Sequence, residues 1–168
     1  MSFQLIRAHI ESKVNDAFQA LVPPVEVIFD NVQDTPPAVP YVECLISYSN
    51  TTEPVLCPDG GAVENLRGDL QLSIYGPRGR GMAALEFYAA EGMKAINTMF
   101  DRAADAQVKC GQILGPVPVL TGTEPYALVT LSCPFTASVR TAIPPAGDGG
   151  GGSSRLKTNE VALTNPLP

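Results

Sequence analysis

A chain of 168 residues that is 45% hydrophobic can bury one core of moderate size without disulfide or metal staples, so a single folded domain is expected. Its formal net charge of -6 and pI near 4.7 exclude a global field that would draw it onto nucleic acid. Four cysteines with no C-x-x-C pair and one histidine, His9, argue against a zinc site, and no apolar run reaches the ~20 residues that span a bilayer.

The opening MSFQLIRAHIESK carries charge early and has no apolar h-region, so no secretory signal is expected and the cysteines read as reduced thiols of an intracellular protein. Residues 3–21 repeat at helical spacing: Ile6, Ile10, Val14, Ala17, Phe18 and Leu21 share one stripe, and Pro23-Pro24 stops the helix. His9 adjoins the stripe and reads as a packing or surface residue. VEVIFDN (25–31) alternates as a half-buried strand, and YVECLISYS (41–49) sets Val42, Cys44, Ile46 and Tyr48 against a more polar face. Residues 50–63 hold two prolines and a glycine pair without sustained period, which predicts a long loop.

Alternation returns from Glu64, with Leu66, Gly68, Leu70, Leu72 and Ile74 facing one way and Arg67, Asp69, Gln71, Ser73 and Tyr75 the other. A second helix follows the loop at 76–81, with Leu85, Ala89, Gly92, Met93, Ile96 and Phe100 on one stripe. VKCGQIL (108–114) and YALVTLSCPFTASV (126–139) read as two further strands, joined by the turn-rich GPVPVLTGTEP. Pro134 would break a central ladder, so the last strand is expected to bulge there or to lie at an edge. Helix, three strands, helix and two strands predict an α+β domain at 1–140, a mostly antiparallel sheet packed against two helices. Residues 141–168 follow as a Gly/Pro-rich linker and C-terminal arm. Gly149 to Gly152 make the linker flexible, and Leu156, Val161, Leu163 and Leu167 leave the arm enough apolar surface to dock on a neighbour.

Charge is placed unevenly. Residues 1–66 hold nine acids against Arg7 and Lys13, whereas 67–109 hold six bases against five acids. The asymmetry fits either a solvated acidic face or a surface that docks on an unlike one.

The sequence GPRGRGMA at 76–83 has the layout of a phosphate loop but not its chemistry. A Walker loop places Lys and Ser/Thr where they reach the terminal phosphates and magnesium, and neither stands here; a dinucleotide fingerprint would need a third glycine. Gly79 and Gly81 therefore read as freeing a tight turn that exposes Arg78 and Arg80. The RGD at Arg67–Asp69 lies inside a strand pattern, where its side chains alternate faces. No H-e-x-x-h or nucleophile-elbow motif occurs, no spaced carboxylate pair is present, and aromatic residues do not interleave with the basic cluster Arg67, Arg78 and Arg80. No catalytic, cofactor-binding or metal residue is expected; by elimination the chain makes contacts.

The helix IRAHIESKVNDAFQAL, the acidic strand VEVIFDN, the block LRGDLQLSIYGPRGRGMAALEFYAAEGMKAINTMF and the final LSCPFTAS together resemble the small tail terminator family of long-tailed bacteriophages, over residues 3–140. The resemblance implies a non-enzymatic virion protein without cofactor. Six copies would form a ring that caps the tail tube and meets a head-completion or neck protein and, in contractile tails, the sheath protein, with DNA only passing through the lumen and no membrane contact. Arg67, Arg78 and Arg80 are the expected inter-subunit or lumen contacts, and Leu156, Val161, Leu163 and Leu167 the expected arm contacts. The alternatives are another neck component, such as a head-closure or connector-adaptor protein, and a small nucleotide-binding enzyme using the 76–81 loop.

Overall fold

The computed structural model describes residues 2–30, 38–51, 55–58, 61–99, 102–103, 106–119 and 126–142. The first element, α1 (Ser2–Gln19), exists because its apolar residues recur every fourth position. Ile6, Ile10, Val14 and Phe18 are all fully buried, while Ala17 and Leu21 are only partly covered. Each such buried side chain contributes about 1.5–3 kcal/mol before ordering costs, so the stripe is what holds the helix on the sheet. The helix α2 (Ala83–Asn97) buries Leu85, Ala89, Gly92, Ala95 and Ile96 against the same core.

Among the described residues eight strands form one sheet: β1 (Glu26–Phe29), β2 (Tyr41–Thr51), β3 (Val55–Leu56), β4 (Gly61–Pro77), β5 (Arg102–Ala103), β6 (Ala106–Cys110), β7 (Leu114–Val119) and β8 (Tyr126–Ala142). The order across the sheet is β1-β2-β4-β8-β6-β5, with β3 paired to β4 and β7 to β8. Every pairing is antiparallel except β1 with β2. The fold is α+β, with both helices on one face of a mostly antiparallel sheet. β4 and β8 form its spine, paired from Gly61↔Ala142 to Pro77↔Tyr126.

The period-2 pattern decides the two faces. Leu66, Leu70, Leu72 and Ile74 of β4 meet Val129, Leu131, Cys133, Phe135 and Ala137 of β8 beneath the helices. The alternate residues point to the opposite face, on which no element packs among the described residues.

Several expectations are corrected. The strand expected at 108–114 is two strands, because the chain leaves the ladder over 111–113 and rejoins β8 lower down as β7. The segment read as a turn, GPVPV, supplies most of β7. Part of the expected 50–63 loop is a hairpin, with Val55↔Val63 and Leu56↔Ala62 paired and the Cys57 amide donating to the Gly61 carbonyl at 2.7 Å. β8 continues to Ala142, past the boundary expected at 140. Pro134 lies neither at an edge nor in a bulge: β8 is central, with β4 on one side and β6 and β7 on the other. The reason is local. The Pro134 carbonyl accepts from the Gly111 amide at the point where β6 has ended and β7 has not begun. The missing N–H of Pro134 faces that same interruption, where the ladder asks for no donor. The arm residues Leu156, Val161, Leu163 and Leu167, and Phe100, lie outside the described residues.

Candidate functional site

The two flanks of the domain are fastened differently. On the α1 side, the half-buried Arg7 is pinned: its Nη1 donates to Glu11 Oε1 at 3.2 Å and Asp30 Oδ2 at 3.3 Å, and its Nη2 donates to the Ile46 carbonyl at 3.3 Å. Asp30 Oδ2 also accepts from the Ile46 amide at 3.4 Å. This network ties α1 to the end of β1 and the middle of β2, a structural use of the charge. His9 Nε2 lies 3.4 Å from the Met99 carbonyl, where it packs α1 against the end of α2. Three of the four thiols sit in or against the core. Burial pushes Cys44 and Cys110 up to about 12 and raises Cys133 as well, so they stay protonated and poorly nucleophilic. Among the described residues, no three His, Cys, Asp or Glu side chains group as metal ligands.

The open sheet face gathers aromatic, apolar and charged side chains, and register arranges them in rows. At one end Tyr41, Tyr75 and Leu128 are in line, with Val119 of β7 beside Leu128. Tyr41 and Tyr75 stack at 4.5 Å and 12°, Tyr126 meets Tyr75 edge-on at 6.3 Å, and the Tyr75 hydroxyl donates to Glu43 Oε2 at 3.0 Å. In the middle, Leu45 lines up with Gln71, Ser132 and Leu114, and Val117 stands beside Thr130. Leu45, Leu114 and Val117 are 43%, 55% and 52% exposed. Towards the other end Thr136 pairs on one side with Arg67 and on the other with Lys109. Two strand spacings separate Arg67 from Lys109, about 10 Å between their Cα atoms. Both border a depression of about 410 Å³, lined also by Asp69, Pro134 and Thr136.

RGD is thus a piece of strand. Arg67 and Asp69 point to the open face, and Gly68 points inward. A Cβ on Gly68 would come within 2.2 Å of the Ser47 carbonyl oxygen and 2.6 Å of the Phe135 ring. The glycine is therefore required by packing rather than by recognition.

Arg78 and Arg80 occupy the turn at the far end of β4, both exposed. Gly79 and Gly81 free the tight turn expected there by taking the left-handed conformation, with φ of 86° and 78°, and a Cβ on either would meet nothing within 4 Å. The turn borders a second depression of about 210 Å³, shared with Pro118, Val119 and Tyr126. Met82 caps α2 without a side-chain hydrogen bond. The three arginines grouped by the sequence do not form one site. Ten residues of strand, about 33 Å at ~3.3 Å per residue, lie between Arg67 and the turn. Arg67 shares its row of the open face with Lys109, Thr136 standing between them; sequence reasoning did not single out Lys109. The only signal was that both fall on the polar phase of an alternating run.

No family model matches this chain, and no curated protein matches it. Chains of solved structures do match. One is 25% identical and superposes with a TM-score of 0.53, covering 86% of this chain and 99% of its own length. That likeness supports the α+β architecture. No helix among the described residues is long and apolar enough to cross a membrane.

Proposed function

We propose that the chain is a structural virion protein of the tail terminator kind, a subunit of a six-membered ring that caps the tail tube of a long-tailed bacteriophage and joins it to the head or neck. Its partners are further copies of itself, the tail tube protein and a head-completion or neck protein, with the sheath protein added in contractile tails. DNA passes through the lumen, and the protein performs no chemistry on it. The observation that carries the reading is the one-sided sheet: helices seal one face, while the other leaves Leu45, Leu114, Val117, Arg67 and Lys109 uncovered on a rigid platform. Such a platform suits a protein whose work is contact. Burial keeps the Cys44 and Cys110 thiols protonated and His9 packs against the Met99 carbonyl, so none of these three side chains forms an assembled nucleophile and base.

The test is genetic and visual. Virions labelled with an antibody to this protein should carry the label at the head–tail junction, and deletion of its gene should yield headless tails of uncontrolled length. Normal tails in its absence, or a two-fold dimer in the assembled particle, would refute the proposal.

A further inference from the structure

The order of strands in the sheet differs from their order in the chain, and that reordering sorts charge. On the open face β1 carries Glu26, β2 carries Glu43, β4 carries Arg67 and Asp69, β8 carries Arg140, and β6 carries Lys109. Read across the sheet from β1 to β6, the face runs from carboxylates, through one charge of each sign, to cations alone. β7 has no charged residue, and neither β6 nor β8 holds an acid. Among the described residues no ion pair engages Glu26, Arg67 or Lys109. Among the described residues β1 is the edge strand on the acidic side.

We propose that copies of this chain associate head to tail through these two flanks, with Glu26 and Glu43 of one copy facing Lys109 and Arg67 of the next. This rests on the reading of the chain as a ring subunit and names the surfaces that reading leaves open. A flank that is acidic cannot self-pair across a two-fold axis without setting like charges together, and the same holds for the basic flank. The acidic-to-basic contact is the complementary one. Where each copy spends one flank on each of two neighbours, as the ring reading requires, the contact is heterologous and repeats from copy to copy. The depression beside Arg67 and Lys109 gives an incoming carboxylate a place between two cations, with Asp69 biasing it towards Lys109.

Two experiments test it on the full chain. In the first, unlabelled and ¹⁵N-labelled wild-type protein are mixed at low salt and treated with a carbodiimide, which joins a carboxylate to a nearby amine, and linked peptides are read by mass spectrometry. Mixed-isotope links from Lys109 to Glu26 or Glu43 are expected, fading as salt screens the contact. Their absence at every protein concentration overturns the proposal. In the second, one variant carries Glu26→Lys and Glu43→Lys, and another carries Arg67→Glu and Lys109→Glu. Sedimentation should show each alone associating at least about tenfold more weakly than wild type, and the equimolar mixture recovering to within about threefold, because every contact in it is again complementary. Wild-type association by either variant alone, or a mixture of folded variants that fails to recover, overturns it. If either variant melts early, the Glu26→Gln and Lys109→Gln chains replace the pair, and each should weaken association by itself. Rings whose copy-to-copy links avoid Lys109 would remove this inference and leave the ring reading standing. Head-to-tail links in an assembly that never closes would do the reverse.

Discussion

Gly68 offers the sharpest test of how the open face is built. Replacing it with alanine puts a methyl group 2.2 Å from the Ser47 carbonyl oxygen and 2.6–2.8 Å from two carbons of the Phe135 ring. The ring can tilt, although it is 2% exposed and lies edge-on to Tyr48 at 6.0 Å. The carbonyl cannot move alone, because Ser47 is paired with Asp69 and Tyr48 with Gly68 in the β2–β4 ladder. Overpacking costs about 1–3 kcal/mol when side chains can yield, and the loss of glycine's unfolded-state freedom returns about 0.4–1 kcal/mol. With backbone as the obstacle, the top of that range applies, so a net loss of about 2–2.5 kcal/mol is expected. For a chain of this size that lowers Tm by roughly 4–10 °C. Urea unfolding followed by far-ultraviolet circular dichroism and tyrosine fluorescence measures it; the chain has no tryptophan. Combining Gly68→Ala with Phe135→Leu makes room on the ring side only, so the double variant should recover little of the loss. A Gly68→Ala cost below about 0.5 kcal/mol would refute the steric account and return RGD to consideration as a recognition motif.

Other consequences are as direct. Gly79→Ala should cost about 1 kcal/mol from left-handed strain alone, and Gly79→Asn less, because nothing crowds that position; equal costs for both would refute the conformational explanation. Burial raises Cys44 from 9.0 to about 12, so its stabilising contribution is complete below pH 9 and lost as pH climbs towards 12. Within that window stability should fall by up to about 1.4 kcal/mol per pH unit from this thiol, and Cys44→Ala should flatten the slope in chemical denaturation; an unchanged slope refutes it. Reversing Arg78 and Arg80 to Glu should leave Tm within about 2 °C of wild type, since exposed charges contribute only ~0–1 kcal/mol, while blocking assembly in the virion. Early melting would make these arginines structural. A chain ending at Ala142 should unfold cooperatively at the wild-type Tm, because β8 and its partners close the core by that residue; loss of cooperativity would show that 143–168 help to hold it.

The periodic elements were legible in the sequence because burial on one side imposes a period. Ile6, Ile10, Val14 and Phe18 declare a helix stripe, and Leu66, Leu70, Leu72 and Ile74 declare a strand face, whatever they pack against. The α+β class, the strand setting of RGD and the tight turn at Gly79 and Gly81 followed from such local rules. What lacked a period stayed hidden. β7 carries prolines at 116 and 118 and becomes a strand only because β8 offers it an edge, while β3 is two residues long and exists only as the partner of β4. Pro134 was misjudged because its place in β8 depends on where two other strands stop. The candidate site shows the same division. Sequence nearness joined Arg67 to Arg78 and Arg80, yet a strand is a rod and carried them to opposite ends. Pairing through Thr136 brought Arg67 beside Lys109, 42 positions away in the chain. Strand order, which no local preference encodes, turned scattered charges into a face acidic on one flank and basic on the other. Only the tertiary structure could decide that, because hydrogen-bonded neighbours in a sheet are chosen by the whole core at once.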